Sequence, residues 1–523
     1  MRLFRRNLIM SIIILSTILL LLHCITPKIQ REMVAVSKAR LLNRESKYLK
    51  VHLTNGSLYV LHSWQVESPK KIISGMGSHF NANRILIKEA KKEADKFMVP
   101  FSDIALIETN QVLKSSNASI AAMTIVSVPV AFMSTICLTD PKACFGSCPT
   151  FYVHDGDAFS LQAEGFSSSI ARSLEATDID KLYLAKPHSS ELTLQVKNEA
   201  LETHVIRYAD LLIFPASDEK DVFATQDGRF FYTGKIYHPS RCMAPEGDFS
   251  KSIQCLDKEE RYSLADSTNL SEKEELNIAF HGIERARYGL LVGSRQTLLT
   301  TFLLYQSMAF MGNYATFFLQ KLESGSQTMR KYANKMYDLL GGIEIYYQKD
   351  EGRWEQIEEL KEMGPIATDI HLIELPYVDK KDLNIRLKLT KGLWRLDYIA
   401  LTKLGEEVEP IRLQPNHVRK HSDLDNKALE NLTHPENYLV TYPRETYSLT
   451  YTLPESNEEY VYFLESRGYY YEWIRKNWLA EENQTLVRMM FFHPKHYLKM
   501  MAPAFKKREP FMEEIFWNSR YAH

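Results

Sequence analysis

From residue 47 to residue 66 the chain reads KYLKVHLTNGSLYVLHSWQV, with apolar and polar positions alternating on both sides of Asn55-Gly56. A period of two puts every second side chain on one face of a strand, a set that a helix cannot gather on one side. Asn-Gly supplies the positive φ angles of a tight turn, so the stretch reads as a β-hairpin. The same pattern returns further on. Residues 150–153 and 159–161 flank Asp155-Gly156, residues 230–236 follow Asp227-Gly228, and alternation resumes at 192–197, 343–348 and 383–401. Two departures interrupt it: Ser271-Glu-Lys-Glu274 reads as a capping box opening a helical stretch, and a second helical pattern runs from about residue 295 to 322. The fold class implied is mixed α+β: a small N-terminal β-domain, a β-sandwich interrupted by a helical segment, and an aromatic, helix-leaning C-terminal tail.

At 523 residues the chain exceeds what one hydrophobic core serves. We divide it into 1–24, an anchor; 25–118, a small β-domain; 119–142, an apolar connector; 143–270 and 341–410, two parts of a β-rich domain around a helical insertion, 271–340; and 411–523, an aromatic and basic C-terminal region. Lys plus Arg (64) nearly cancels Asp plus Glu (65), so the positive field by which a protein gathers phosphates is missing and nucleic acid is not an expected partner.

Arg2, Arg5 and Arg6 precede an apolar run, 8–22, that ends at His23-Cys24, the form of an export signal. With Cys24 following, it resembles the signal of bacterial lipoproteins, whose cysteine is acylated and becomes the new N-terminus. His23 stands where that processing usually finds Gly, Ala or Ser, so an uncleaved anchor with its arginines on the cytoplasmic side is the competing reading. Either way the expectation is a membrane-anchored protein of the bacterial cell envelope, facing the periplasm or the cell exterior. Residues 119–138 carry no charge and are long enough to span a bilayer, while Pro129 and the β-branched residues around it suit a buried strand or connector equally. A second uncharged run, 297–319, places Gln306 and Asn313 on one helical face and reads as a helix buried in a soluble body.

Export permits disulfides. Beyond Cys24 the chain holds Cys137, Cys144, Cys148, Cys242 and Cys255. Cys144, Cys148, Cys242 and Cys255 are the disulfide candidates, and a Cys242–Cys255 bridge would close a polar loop for a gain of roughly 3 kcal/mol. Cys137, Cys144 and Cys148 with His154 could supply four zinc ligands, but their spacing lacks the paired C-x₂-C knuckles of structural sites. No metal and no cofactor is expected.

For catalysis the best constellation is Glu199, Glu202 and His204 in NEALETHV, with Glu164 and residues 178–180 as companions. In a strand Glu202 and His204 share a face, so the carboxylate could orient the imidazole as a general base. The alternative is a set of solvated pairs at a strand edge, since no G-x-S-x-G, no H-E-x-x-H and no phosphate loop accompanies them. The strand NIRLKLTKGLWRLDYIAL, 384–401, resembles the closing strands of carbohydrate-binding sandwiches, with Trp394 to stack on a sugar and Asp397 to bond its hydroxyls. Core packing of one alternating set explains the same residues. The aromatic stretch 460–482 and the run 497–517, with Lys499, Lys506, Lys507 and Arg508, suit either a membrane surface or a clamp on the β-body through Tyr469–Tyr471, Trp473 and Trp478.

CPTFY with Asp155-Gly156, Ala163-Glu164-Gly165, Asn198-Glu199, Glu202-Thr203, GSRQTLL (293–299), Gly364-Pro365-Ile366 and GLWRLDYIAL (392–401) together resemble, in that order, a family of uncharacterised bacterial envelope proteins in which a CPxxY-type hairpin opens a β-rich domain. The resemblance spans about residues 140–405 and implies architecture, not activity. The expected role is structural or binding, with an envelope protein or glycan as partner. The alternative is a hydrolase acting on an envelope or extracellular glycan, for which two facing carboxylates about 5–9.5 Å apart would speak.

Overall fold

The structure, a computed structural model, describes residues 28–113 and 148–521 apart from short stretches at 35–38, 40–41, 43–47, 54–56, 81–85, 189, 201, 217–219, 351, 362–363, 444, 456–458 and 473–480. The chain divides into two units, Met1–Pro129 and Val130–His523.

In the first unit, seven antiparallel strands form one sheet. Lys28–Val34 lies on Ile104–Leu113, followed by Tyr48–Leu53, Leu58–Glu67, Ile72–Phe80 and Leu86–Ala90, with Phe97–Pro100 also paired to Ile72–Phe80. The hairpin read around Asn55-Gly56 forms in register, Val51 opposite Tyr59 and Leu49 opposite Leu61. The buried set of the alternation, Leu49, Val51, Leu61, Ile73, Val99 and Ile107, makes the core.

The second unit is β-rich with helices attached, the mixed class expected. Its first two sheets face each other as a sandwich. One holds Phe159–Glu164, Thr150–His154, Glu191–Lys197, Thr446–Thr452, His417–Lys420 and Asp423–Leu424; the other holds Ala176–Lys181, Glu459–Glu472, Glu202–Ala216 and Ile411–Leu413. Phe151, Val153, Leu194 and Leu449 from the one meet Ile206, Leu211, Ile213 and Leu464 from the other in a single core. The sandwich that opens at Thr150 is thus completed by strands within 411–472, the stretch read as a separate C-terminal region.

Two further sheets, built from 221–407, bury a second core together with the helices. Here the capping box at Ser271 does not open a helix: Lys273–His281 is a strand, with Glu274, Leu276, Ile278 and Phe280 turned inward. Period-two burial along that segment outweighs a local capping signal. The uncharged run 297–319 forms two helices, Leu299–Met311 and Ala315–Glu323, broken at Gly312, where φ is +50°. Among the described residues no helix is long and apolar enough to cross a membrane. The run 8–22 and residues 119–138 lie outside them.

Residues 459–472, expected to lean helical, are instead a strand at the heart of the sandwich. The tail beyond is helical, Gln484–Phe492 and Pro494–Tyr521, and buries Tyr497, Leu498, Met501 and Phe505 against the second core.

Candidate functional site

The apolar interior of the sandwich ends in a polar cavity. Strands Glu202–Ala216 and Glu459–Glu472 run antiparallel with Glu202 opposite Glu472 and His204 opposite Tyr470. Directly paired residues point to the same face, and here it is the inner one, where Ile206 and Tyr470 join the core. From the facing sheet, strand Phe159–Glu164 delivers Glu164 as its last residue, and Cys148 sits just ahead of Thr150–His154. Helix Leu299–Met311 closes the end with Thr301, Leu304 and Tyr305, and Gly364-Pro365 completes the wall. The space within is about 50 Å³ and is partly open to solvent.

Each acid on this wall is held by a defined contact. Glu202 Oε2 lies 3.1 Å from His204 Nε2, both side chains at most 1% exposed. Tyr305 Oη donates to Glu472 Oε1 at 3.0 Å. Glu164 Oε2 accepts the Ile366 N–H at 2.7 Å. A Cβ at Gly364 would stand 2.0 Å from the Glu164 carboxyl carbon, so a larger residue there must displace that carboxyl group. The Asn198 side-chain amide donates to the carbonyls of Glu202 (3.1 Å) and Thr441 (3.2 Å), which fixes where the Glu202 strand begins. Tyr470 Oη donates to the Ser167 carbonyl at 2.8 Å, and the Cys148 thiol approaches the same oxygen at 3.6 Å.

The electrostatics follow from enclosure. Burial first, then the Glu164 and Glu202 carboxylates, push the Cys148 thiol well above its ordinary range, so it is not an activated nucleophile. The Tyr470 phenol is likewise pushed well up, by burial and then by Cys148, Glu202 and Glu472. Three carboxylates, three phenols and a thiol stand in the lining, and the carboxylates accept hydrogen bonds and favour positive charge.

Of the residues read from sequence, Glu164, Glu202 and His204 are brought together, His204 as the support behind Glu202. Glu199 turns away, its Oε2 accepting from Thr150 Oγ1 (2.7 Å) and Tyr152 Oη (2.9 Å). Trp394 and Asp397 do not form a sugar platform: they are 1% and 2% exposed, because the strand Trp394–Glu407 is central and covered on both faces. The Cys242–Cys255 bridge is not made. Cys242 is a buried free thiol facing the second core, held up to about 12 by burial, and Cys255 is free and exposed. Cys148 is also free and buried, while Cys24, Cys137 and Cys144 lie outside the described residues. No group of His, Cys, Asp and Glu among the described residues is arranged to hold a metal. Sequence reasoning missed Glu472, Tyr470 and Tyr305. The one local signal was an acid, Glu472, set inside an aromatic run between Tyr471 and Trp473.

No family model matches the chain, and neither does any curated protein. Among solved structures, a β-porphyranase of glycoside hydrolase family 86 from the human gut bacterium Bacteroides plebeius aligns at 8% identity over 48% of this chain and 40% of its own, with a TM-score of 0.16. BuGH86 in complex with neoagarooctaose aligns at 7% identity over 45% and 34%, again with a TM-score of 0.16. The lipid-containing bacteriophage PM2 aligns at 9% identity over 80% and 99%, with a TM-score of 0.09. The chain spans well under half the length of the first two. Likenesses of this size carry no argument, and the function has to be read from the cavity.

Proposed function

We propose that this is a membrane-tethered protein of the bacterial cell envelope with a binding role, and that the acid-lined cavity is where it binds. The observation that carries the reading is the convergence of Glu164, Glu202 and Glu472 on one space of about 50 Å³. Such a space admits roughly three to five water-sized groups, far below the ~300 Å³ at which pockets for whole organic ligands begin. It therefore receives the tip of a ligand and not its body. A lining of carboxylates and phenols selects a hydrogen-bond donor, and an ammonium group satisfies it best. The tether is supported by Arg2, Arg5, Arg6 and the apolar run ending at Cys24.

A second reading, hydrolysis of an envelope or extracellular glycan, is favoured by Glu164 and Glu202 arriving from opposed sheets, the arrangement in which one carboxylate serves as acid and the other as nucleophile or base. The small volume weighs against it, since a sugar ring does not enter.

The test is to titrate the full-length protein with methylammonium and, in parallel, methanol, following the melting temperature. Binding predicts a rise with the amine alone, lost in Glu202→Gln; no amine-specific rise overturns it. Release of reducing ends from envelope polysaccharide, abolished by Glu164→Gln, would put the hydrolase in its place.

A further inference from the structure

Strand Ala176–Lys181 is the edge of the sandwich, and it packs against Asp369–Glu374 of a neighbouring sheet. Asp178 and Asp180, two residues apart, share a face of that edge. Both reach the turn that follows strand Phe159–Glu164. The Phe166 N–H donates to Asp178 Oδ2 at 3.0 Å, and the Glu164 N–H is directed at the Asp180 carboxylate. Phe166 sits at φ +39°, in the left-handed region that a bulky residue enters only when held. Across the seam, His371 Nδ1 lies 3.0 Å from Asp369 Oδ2. Asp180 is 4% exposed, and its Oδ2 has no hydrogen-bond partner.

The groups facing this cluster are Glu164 at the end of its strand, Glu358 on Arg353–Leu360, and Tyr183 beyond the edge strand, which also faces Asp397. Lys181, the neighbour of Asp180, is committed to Asp221 at 2.7 Å and lies over the Phe223 ring. His371 is the cation within the seam, and Arg229, paired at 2.7 Å with Glu374 of the same strand, lies beside Glu358. Asp178 and Asp180 cannot both be ionised here at low cost, so the pair retains protons.

We propose that Asp178, Asp180, Asp369 and His371 form a proton-operated latch on the Glu164–Phe166 turn, which sets whether Glu164 stands in the cavity wall. While Asp178 and Asp180 hold their protons the seam stays closed; ionisation strengthens their bonds to the Phe166 and Glu164 N–H groups, but burial and mutual repulsion outweigh that gain. Loss of a proton sets like charges side by side, opens the seam and loosens the turn, and Glu164 moves with it. Burial, then Asp369, raises Asp178 to about 7, and burial, then Asp178 and Asp369, raises Asp180 well above its ordinary value. Burial lowers His371, but Asp369, then Asp178 and Glu358, outweigh it and keep the imidazole above its ordinary value. The latch therefore changes state near neutrality.

The test is amide hydrogen exchange on the full chain, read for the peptide covering residues 159–170 and divided by the intrinsic chemical rate at each pH. Between pH 5.5 and 8 protection should fall about tenfold or more, while the peptide covering 191–197 stays unchanged. Asp178→Asn keeps an acceptor for the Phe166 N–H without the charge, and should hold protection at the higher pH. A flat profile in the native protein overturns the latch, as does an equal fall at 191–197 or in Asp178→Asn. If Asp178→Asn does not fold, Asp369→Asn serves the same purpose. The readout is backbone protection, so its outcome does not depend on what the cavity binds.

Discussion

Gly364 shows how little room the candidate site leaves. Its missing side chain is occupied by the Glu164 carboxyl group, which the Ile366 N–H then fixes. Gly364→Ala should therefore displace Glu164 and strand a buried acceptor, a loss of about 1–3 kcal/mol, measured by denaturant titration. In a Glu164→Ala background the same substitution should be close to neutral; an equal loss in both would show that Gly364 matters for another reason. The thiols give a second residue-scale test. Burial pushes Cys148 and Cys242 up, while Cys255 is exposed. Brief treatment of the native protein with iodoacetamide near pH 8 should modify Cys255 and spare the other two, as mass spectrometry of peptides would report. Cys148 labelled as fast as Cys255 would mean that the cavity is open to reagents of that size.

Hairpins were legible in the sequence because every determinant is local. At Asp155-Gly156 the Asp155 carboxylate accepts the N–H groups of Asp157 (3.0 Å) and Ala158 (2.9 Å), and Gly156 takes φ +108°. Gly156→Val opposes that angle and should cost about 1–3 kcal/mol, seen as a lower melting temperature; an unchanged value would mean that the turn relaxes freely. Other elements were not legible, for a physical reason. Strand Glu459–Glu472 is covered on both faces along much of its length, so its apolar residues run together and the period of two disappears. Lys273–His281 keeps its period, but a capping box at its start spoke for a helix. The site was half legible by the same logic. Glu202 and His204 lie two apart on one strand and Glu164 is a polar residue closing another, features a local reading can find. Glu472 and Tyr470 join them only through pairing with a segment far along the chain.

For the molecule as a whole, titration should place the greatest stability on the acid side of neutrality. Hydrogen bonds and ion pairs lower Asp227, Asp248, Asp266 and Glu284, so the stability they lend is present above the usual carboxylate range and is lost as the pH falls through it. Burial raises Asp178 to about 7 and Asp397 to about 6, and Glu358 and Glu481 in the same direction, so the folded state binds protons that the unfolded chain has released. Their effect has the opposite sign, and stability falls as the pH rises from about 4 to 7. The melting temperature should peak at about pH 4, and Asp178→Asn should flatten the fall above it; a peak at pH 8 would contradict this. The proposed tether has its own test: Cys24→Ser should leave the signal uncleaved or release the protein from membranes, whereas unchanged processing and retention would favour an uncleaved helix as the anchor. The sandwich strand that starts at Glu202 finds its main partner only at Glu459–Glu472, and Glu191–Lys197 finds one at Thr446–Thr452, with the whole of 221–407 between them. Contacts so distant along the chain close late, after the entropy of the intervening loop has been overcome. A nascent chain halted before residue 459 would hold Glu202 but not Glu472, so the cavity exists only once synthesis is nearly finished, and the intervening sheets and helices have had time to fold first.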